Sequence, residues 1–174
     1  MGTGGPERAW VRGAQGGDAS SLEALFRHHW PAAYRAAYLV VHDAGAAEDI
    51  AQEAFLAAVR NLDRFDRRRP FGPWLHRIVV NRAIDWARMR ALRPESGGDA
   101  LAGVAAAEHA DAREGLLAAI RSLPPDHRAV IVLRYLLGYT PGEIARLLDL
   151  PRGTVNSRLR RALDALGEKL EDER

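Results

Sequence analysis

No cysteine occurs in this 174-residue chain, so neither a disulfide framework nor a thiolate metal site can form. The six histidines fall at no zinc-type spacing, and no structural metal or cofactor is expected. Lysine is almost missing as well: of 25 cationic residues only Lys169 is not an arginine. No apolar run approaches membrane-spanning length. The start, Met1 to Pro6, lacks the basic stretch and apolar core of a secretion signal. These absences predict a soluble cytoplasmic chain with no membrane contact of its own. Strand-type alternation is missing too, and no Ser, Lys or His sits in a local motif that would supply a nucleophile and its base. A catalytic site, and hence an enzyme, is not expected.

What is present is helix-forming sequence with segregated charge. Ala and Leu are abundant and 47% of residues are apolar, enough for real cores. The predicted fold is all-α: two small helical domains, 1–93 and 112–174, joined by a flexible linker over 94–111. That linker opens with Pro94-Glu95-Ser96-Gly97-Gly98-Asp99. Residues 1–6 are expected to be disordered. Net charge is only +2, yet the stretch from Arg60 to Arg93 is dense in Arg, whereas Asp43 to Glu53 has acids and no Lys or Arg. The first suits phosphates and the second a basic protein surface.

In the first domain the pattern predicts a helix pair over 19–41, with Pro31 kinking it or opening its second half. A helix over 44–62 would bury Ala47, Ile50, Ala51, Ala54, Phe55, Ala58 and Leu62. A further helix, begun by Pro73 and ending near Arg90, would bury Leu75, Ile78, Val79 and Trp86. In the second domain, helices are predicted over 112–123 and 126–137, the latter stopped by Gly138. Thr140-Pro141-Gly142-Glu143 has the residues of a capping box, so a short helix must begin there. A tight turn over 149–152 then leads to a last helix ending near Leu170.

Two helices joined by a tight turn, the second rich in Arg and short polar residues, form the pattern of a DNA-binding helix-turn-helix. On the last helix Val155, Leu159, Ala162, Leu163 and Leu166 share one side, while Thr154, Asn156, Ser157, Arg160 and Arg161 share the other. That second side offers guanidinium forks, an amide and small residues to a major groove. A merely solvated face would rarely carry Arg158, Arg160 and Arg161 so close together with no acid between Pro151 and Ala162.

A second candidate is Phe65-Asp66-Arg67-Arg68-Arg69-Pro70-Phe71-Gly72-Pro73-Trp74, where cations alternate with rings as on a single-strand path. The plainer reading is that Phe65, Phe71 and Trp74 are core. Downstream, Arg77, Asn81, Asp85 and Arg88 fall on one stripe. The acidic helix around Glu48, Asp49, Gln52 and Glu53 is either a docking face or a solvated one; a carboxylate metal site is excluded because no His follows an acid at the needed spacing.

Three sets of residues together carry a resemblance. They are Ala47-Glu48-Asp49-Ile50-Ala51-Gln52-Glu53-Ala54-Phe55, Trp74-Leu75-His76-Arg77-Ile78-Val79-Val80-Asn81-Arg82-Ala83-Ile84-Asp85, and Gly153-Thr154-Val155-Asn156-Ser157-Arg158-Leu159 with Gly138-Tyr139-Thr140 and Glu143-Ile144-Ala145 before it. The chain resembles the extracytoplasmic-function sigma factors of bacterial RNA polymerase over nearly its whole length. The resemblance implies three surfaces. Glu48, Asp49, Gln52, Glu53, Phe55 and Leu56 would dock on core polymerase. Phe65, Arg68, Arg69, Phe71, Trp74, Arg77, Asn81, Arg82, Asp85 and Arg88 would engage the minus-ten element and hold an unstacked base. Thr140, Arg152, Thr154, Asn156, Ser157, Arg158, Arg160 and Arg161 would read the minus-thirty-five duplex. Asn156 stands where the family often has a cation, which points to a shifted base preference. The family also implies an anti-sigma partner. A different reading, a stand-alone dimeric helix-turn-helix regulator, leaves the N-terminal motifs without a role.

Overall fold

The computed structural model describes residues 4–92 and 110–172, and those residues form helices and turns. They are α1 (Gly4–Gln15), α2 (Ala19–Val41), α3 (Ala44–Arg60), α4 (Phe71–Ala91), α5 (Ala110–Ser122), α6 (Pro125–Ile131), α7 (Pro141–Leu148) and α8 (Arg152–Asp172). The expected linker over 94–111 lies outside the described residues, except for 110 and 111, which belong to α5.

Helix α1 was not foreseen. The segment expected to be disordered over 1–6 is helical from Gly4 onward, while residues 1–3 lie outside the described residues. Two glycines and Pro6 make its start look like a loop, yet Trp10, Val11 and Ala14 supply an apolar side that packs against α2. At its end, a β-carbon on Gly13 would collide with the Ser21 hydroxyl, so only glycine lets the two helices approach this closely.

Asp18 caps α2 by accepting from the Ser20 and Ser21 backbone N–H groups. The helix runs unbroken through Pro31, whose ring lies on the exposed side. Proline removes one backbone hydrogen bond there, and packing against α1, α3 and α4 holds the helix across the gap. Small residues suit close packing of these helices: the buried cluster includes Ala33, Ala36 and Ala37 of α2, Ala47, Ala54 and Ala58 of α3 and Ala83 of α4. Helix α3 ends at Arg60, and Leu62 is buried from a separate 3₁₀ turn, Leu62–Arg64. Helix α4 starts at Phe71, two residues before the expected Pro73. Proline is tolerated at that third position because first-turn N–H groups have no partner within the helix.

In the second half, α6 passes into a π-helical turn, Val132–Leu136, which widens the backbone just before Gly138. Gly138 takes φ +74°, a conformation that favours glycine, and reverses the chain so that Tyr139 N–H donates to the Leu133 carbonyl. Helix α8 packs on α5, α6 and α7. The two halves do not stay apart. Helices α5 and α6 pack on α2, α6 and α7 pack on α4, and the buried apolar side chains of both halves belong to one continuous cluster.

Candidate nucleic-acid interface

The helix-turn-helix forms as its capping residues dictate. Thr140 Oγ1 accepts from Glu143 N–H at 3.3 Å, while Glu143 Oε2 accepts from Thr140 N–H at 2.8 Å. The Thr140 hydroxyl and N–H, both bonded to Glu143, hold its carboxyl below the usual range. Helix α7 closes at Asp149 in the left-handed conformation, and α8 follows after Leu150 and Pro151.

On α8, Val155, Leu159, Ala162 and Leu166 are buried, whereas Arg152, Asn156, Arg160 and Arg161 are exposed, with Thr154 and Ser157 half-buried beside them. Leu163 departs from the expected inward set and is 44% exposed. It lies roughly 80° around the helix from Val155 at 100° per residue, so it falls on the edge of the apolar stripe. Arg158 also turns aside, toward Asp126 Oδ1 at 3.4 Å.

The loop before α4 divides its residues differently from the expectation. Phe65 and Phe71 are 9% and 3% exposed and pack in a cluster with Trp74, with centroid distances of 4.6 to 5.8 Å. This corrects their assignment as base-stacking platforms: apolar rings at this spacing fill the space under the loop, and of the three only Trp74 keeps a partly open surface. Arg68 folds back on Asp66 through two hydrogen bonds of 3.0 and 3.2 Å, a pairing that lowers the Asp66 pKa and raises that of Arg68. Arg67 and Arg69 remain exposed. Two side chains of α1 hold the loop at either end: Gln15 Nε2 donates to the Leu62 and Phe65 carbonyls at 2.8 and 3.1 Å, and Glu7 Oε1 accepts from Phe71 N–H at 2.8 Å.

Beyond the loop, Arg77, Asp85 and Arg88 are exposed and Asn81 half-buried along α4, as their spacing requires. Arg82 donates to Glu53 Oε2 of α3 at 2.7 Å. Two residues assigned to different surfaces are therefore partners here, and sequence separation hides it.

On α3 the side chains of Glu48, Asp49, Gln52 and Glu53 are exposed, as is Leu56 at 53%. Phe55 corrects the expected docking face. It is 6% exposed, packed against Phe26 and Trp30, and so forms the floor of a surface groove rather than its rim. That groove, about 450 Å³, is lined also by Leu22, Glu23, Phe26, Gln52, Leu56 and Val59, among others.

The regions of the chain can be compared with known families. Residues 25–93 match Sigma-70 region 2, and residues 113–166 match Sigma-70, region 4. The chain is 35% identical over 157 residues to the ECF RNA polymerase sigma factor SigW of Bacillus subtilis, a match covering 80% of this chain and 83% of that one. It is 38% identical over 144 residues to the ECF RNA polymerase sigma-E factor of Escherichia coli K12, covering 73% and 75%. The chain belongs to the ECF sigma factors. Among solved structures, CnrH in complex with the cytosolic domain of CnrY aligns with TM-score 0.75 and 27% identity, over 97% of this chain and 99% of that one. The Bartonella quintana sigma factor RpoE, solved with the anti-sigma factor NepR, shares the fold at TM-score 0.67 and 22% identity, over 87% and 98%.

This ECF sigma factor binds core RNA polymerase and directs promoter-specific initiation, with region 2 on α2 to α4 and region 4 on α5 to α8. Helix α1 precedes both matched regions. The stand-alone regulator finds no support, since the N-terminal half has its own family assignment.

Besides the shared apolar cluster, polar contacts join the two regions of this sigma factor. His76 Nδ1 and the Tyr139 hydroxyl share a 2.8 Å hydrogen bond; burial pushes His76 down to about 4 and Tyr139 up, so both stay neutral. Arg88 of α4 donates to Asp126 Oδ1 at 2.6 Å, on the same carboxylate that Arg158 of α8 approaches. Between the loop and α7 lies a groove of about 1080 Å³ lined by Arg64, Arg69, Trp74, Arg77, Tyr139 and Arg146, among others.

Proposed function

We propose that the three surfaces are used one after another, and that the closed arrangement of the two regions is a restrained form of the protein. Core polymerase is received by the acidic side of α3, through Glu48, Asp49, Gln52 and Leu56, with Phe55 supporting the groove from below. The minus-ten element is engaged by Trp74, Arg77, Asn81 and the exposed loop arginines, and the minus-thirty-five duplex by Arg152, Asn156, Arg160 and Arg161. The carrying observation is that Asp126 holds Arg88 of the first DNA surface and lies 3.4 Å from Arg158 of the second. With both drawn to one carboxylate, the surfaces cannot engage separate promoter elements at full strength.

Opening this arrangement breaks the polar ties and uncovers the apolar surface that the two halves share. An exposed ion pair contributes ~0.2–1 kcal/mol and a neutral hydrogen bond ~0.5–1.5 kcal/mol, so polymerase docking can outweigh the polar ties. The protein acts in the cytoplasm, without a catalytic step. Among the described residues no helix is long and apolar enough to cross a membrane. An anti-sigma partner fits the same scheme. The alignment with CnrH spans both regions, and that protein was solved bound to the cytosolic domain of CnrY.

The absence of cysteine allows one dye at Ser96→Cys in an otherwise thiol-free chain. Anisotropy of that dye on adding core polymerase should rise at nanomolar concentrations, and Asp49→Arg or Leu56→Arg should abolish the rise. Asp49 and Leu56 are the better probes, because replacing Glu53 also breaks its pair with Arg82. Full binding by both variants would remove α3 as the docking surface.

A further inference from the structure

Helix α1 carries Glu7 to the side of two consecutive histidines of α2. A carboxylate oxygen of Glu7 and one ring nitrogen each of His28 and His29 lie within 4.8 Å of one another. Sequence spacing could not show this, since Glu7 comes from a separate helix. The site is largely enclosed: His29 is 6% exposed and the Glu7 side chain 12%. His29 Nε2 sits 3.2 Å from Glu7 Oε2 without a well-aligned hydrogen bond.

Two atoms bound tetrahedrally to one zinc ion at about 2.0–2.1 Å stand about 3.3 Å apart. The Glu7 to His29 separation already has that value. The second Glu7 oxygen accepts from Phe71 N–H at 2.8 Å, which fixes the carboxylate as an outer hydrogen bond fixes a metal ligand. His28 is exposed, with its ring 5.5 Å from that of Trp10 and 4.7 Å from that of His29.

We propose that Glu7, His28 and His29 form a binding site for one divalent cation of the zinc class, with a water in the fourth position. Two imidazoles and a carboxylate suit Zn²⁺, Ni²⁺ or Co²⁺, whereas Mg²⁺ and Ca²⁺ prefer shells of oxygen alone. The ion would pin α1 to α2 and, through Glu7 and Phe71, to the first residue of α4. Gln15 holds the other end of the same loop, so occupancy would stiffen the segment between Phe65 and Phe71.

The test uses the full, untagged chain, stripped with chelator. Zn²⁺ is titrated against a chromophoric chelator, and Co²⁺ binding is followed by its visible absorption. One equivalent should bind, with the strong visible bands of four-coordinate Co²⁺ and a Zn²⁺-dependent rise in thermal midpoint. His28→Ala should weaken Zn²⁺ binding roughly tenfold or more, with each midpoint shift read against the same variant's metal-free midpoint. Glu7→Gln should weaken it similarly, while His127→Ala, on α6, should not. Unsaturable binding, or one-to-one binding that His28→Ala leaves intact, would overturn the site.

Discussion

On α8 the guanidinium groups of Arg152, Arg160 and Arg161 project into solvent with no ion-pair partner among the described residues, whereas on α4 Arg82 is engaged by Glu53, Arg88 by Asp126 and Arg90 by Asp43. Both helices carry similar residues, but on α8 only Arg158 is drawn to a carboxylate, whereas on α4 three arginines are engaged. The α4 stripe must exchange partners. A bidentate contact to a base contributes ~1–3 kcal/mol, more than the ~0.2–1 kcal/mol of an exposed ion pair, so the exchange can proceed once the halves separate. The arginines of α8 are thus mostly unengaged and those of α4 mostly engaged.

The largest effect should come from the buried core that joins the halves. Leu133 is fully buried, and Leu133→Ala should cost ~2–5 kcal/mol. All four tryptophans, Trp10, Trp30, Trp74 and Trp86, lie in the first half. If the core couples the halves, the urea midpoint seen by tryptophan fluorescence will fall together with that seen by circular dichroism. An unmoved tryptophan transition would mean that the halves unfold independently.

Next, Arg161→Ala should weaken minus-thirty-five binding by holoenzyme by ~1–3 kcal/mol while sparing core polymerase binding. Normal promoter affinity in that variant would remove Arg161 from the reading surface.

Acidification should favour the open form. His42, at the end of α2, is held at about 3 by burial and then by Arg128 and Arg121 of the second half. Because this value lies below the ordinary 6.5, the neutral ring's contribution to closure is complete above pH 6.5 and is lost progressively as pH falls toward 3. Energy transfer between dyes on the two halves should therefore drop over that window and recover with His42→Gln, which cannot charge. A pH-independent signal in the wild type would exclude His42.

The smallest change is expected for Arg82→Ala. Its pair with Glu53 is exposed on both sides, so global stability should shift by less than about 0.5 kcal/mol in urea melts. A larger loss would show that α3 and α4 depend on this bridge.

Legibility in the sequence followed the range of the forces involved. Capping of α7 was readable because Thr140 and Glu143 satisfy each other within one turn. The inward side of α8 was readable from its period, apart from Leu163 at the stripe's edge. The rings of the α4 loop were only half readable: their alternation with arginine allowed both a base platform and a core, and burial decided for the core at Phe65 and Phe71. Helix α1 was missed because Gly4, Gly5 and Pro6 signal a loop locally, while Trp10, Val11 and Ala14 gain their stability only against α2.

The sequence by itself determined the all-helical class, the positions of most helices, the helix-turn-helix and the family, because each rests on residues within a turn or two of one another or on motifs in fixed order. Only the tertiary structure decided which charges pair across helices, that Asp126 gathers arginines from α4 and α8, and that Glu7 meets His28 and His29. Those contacts join residues 20 or more positions apart, where distance along the chain says nothing about distance in space.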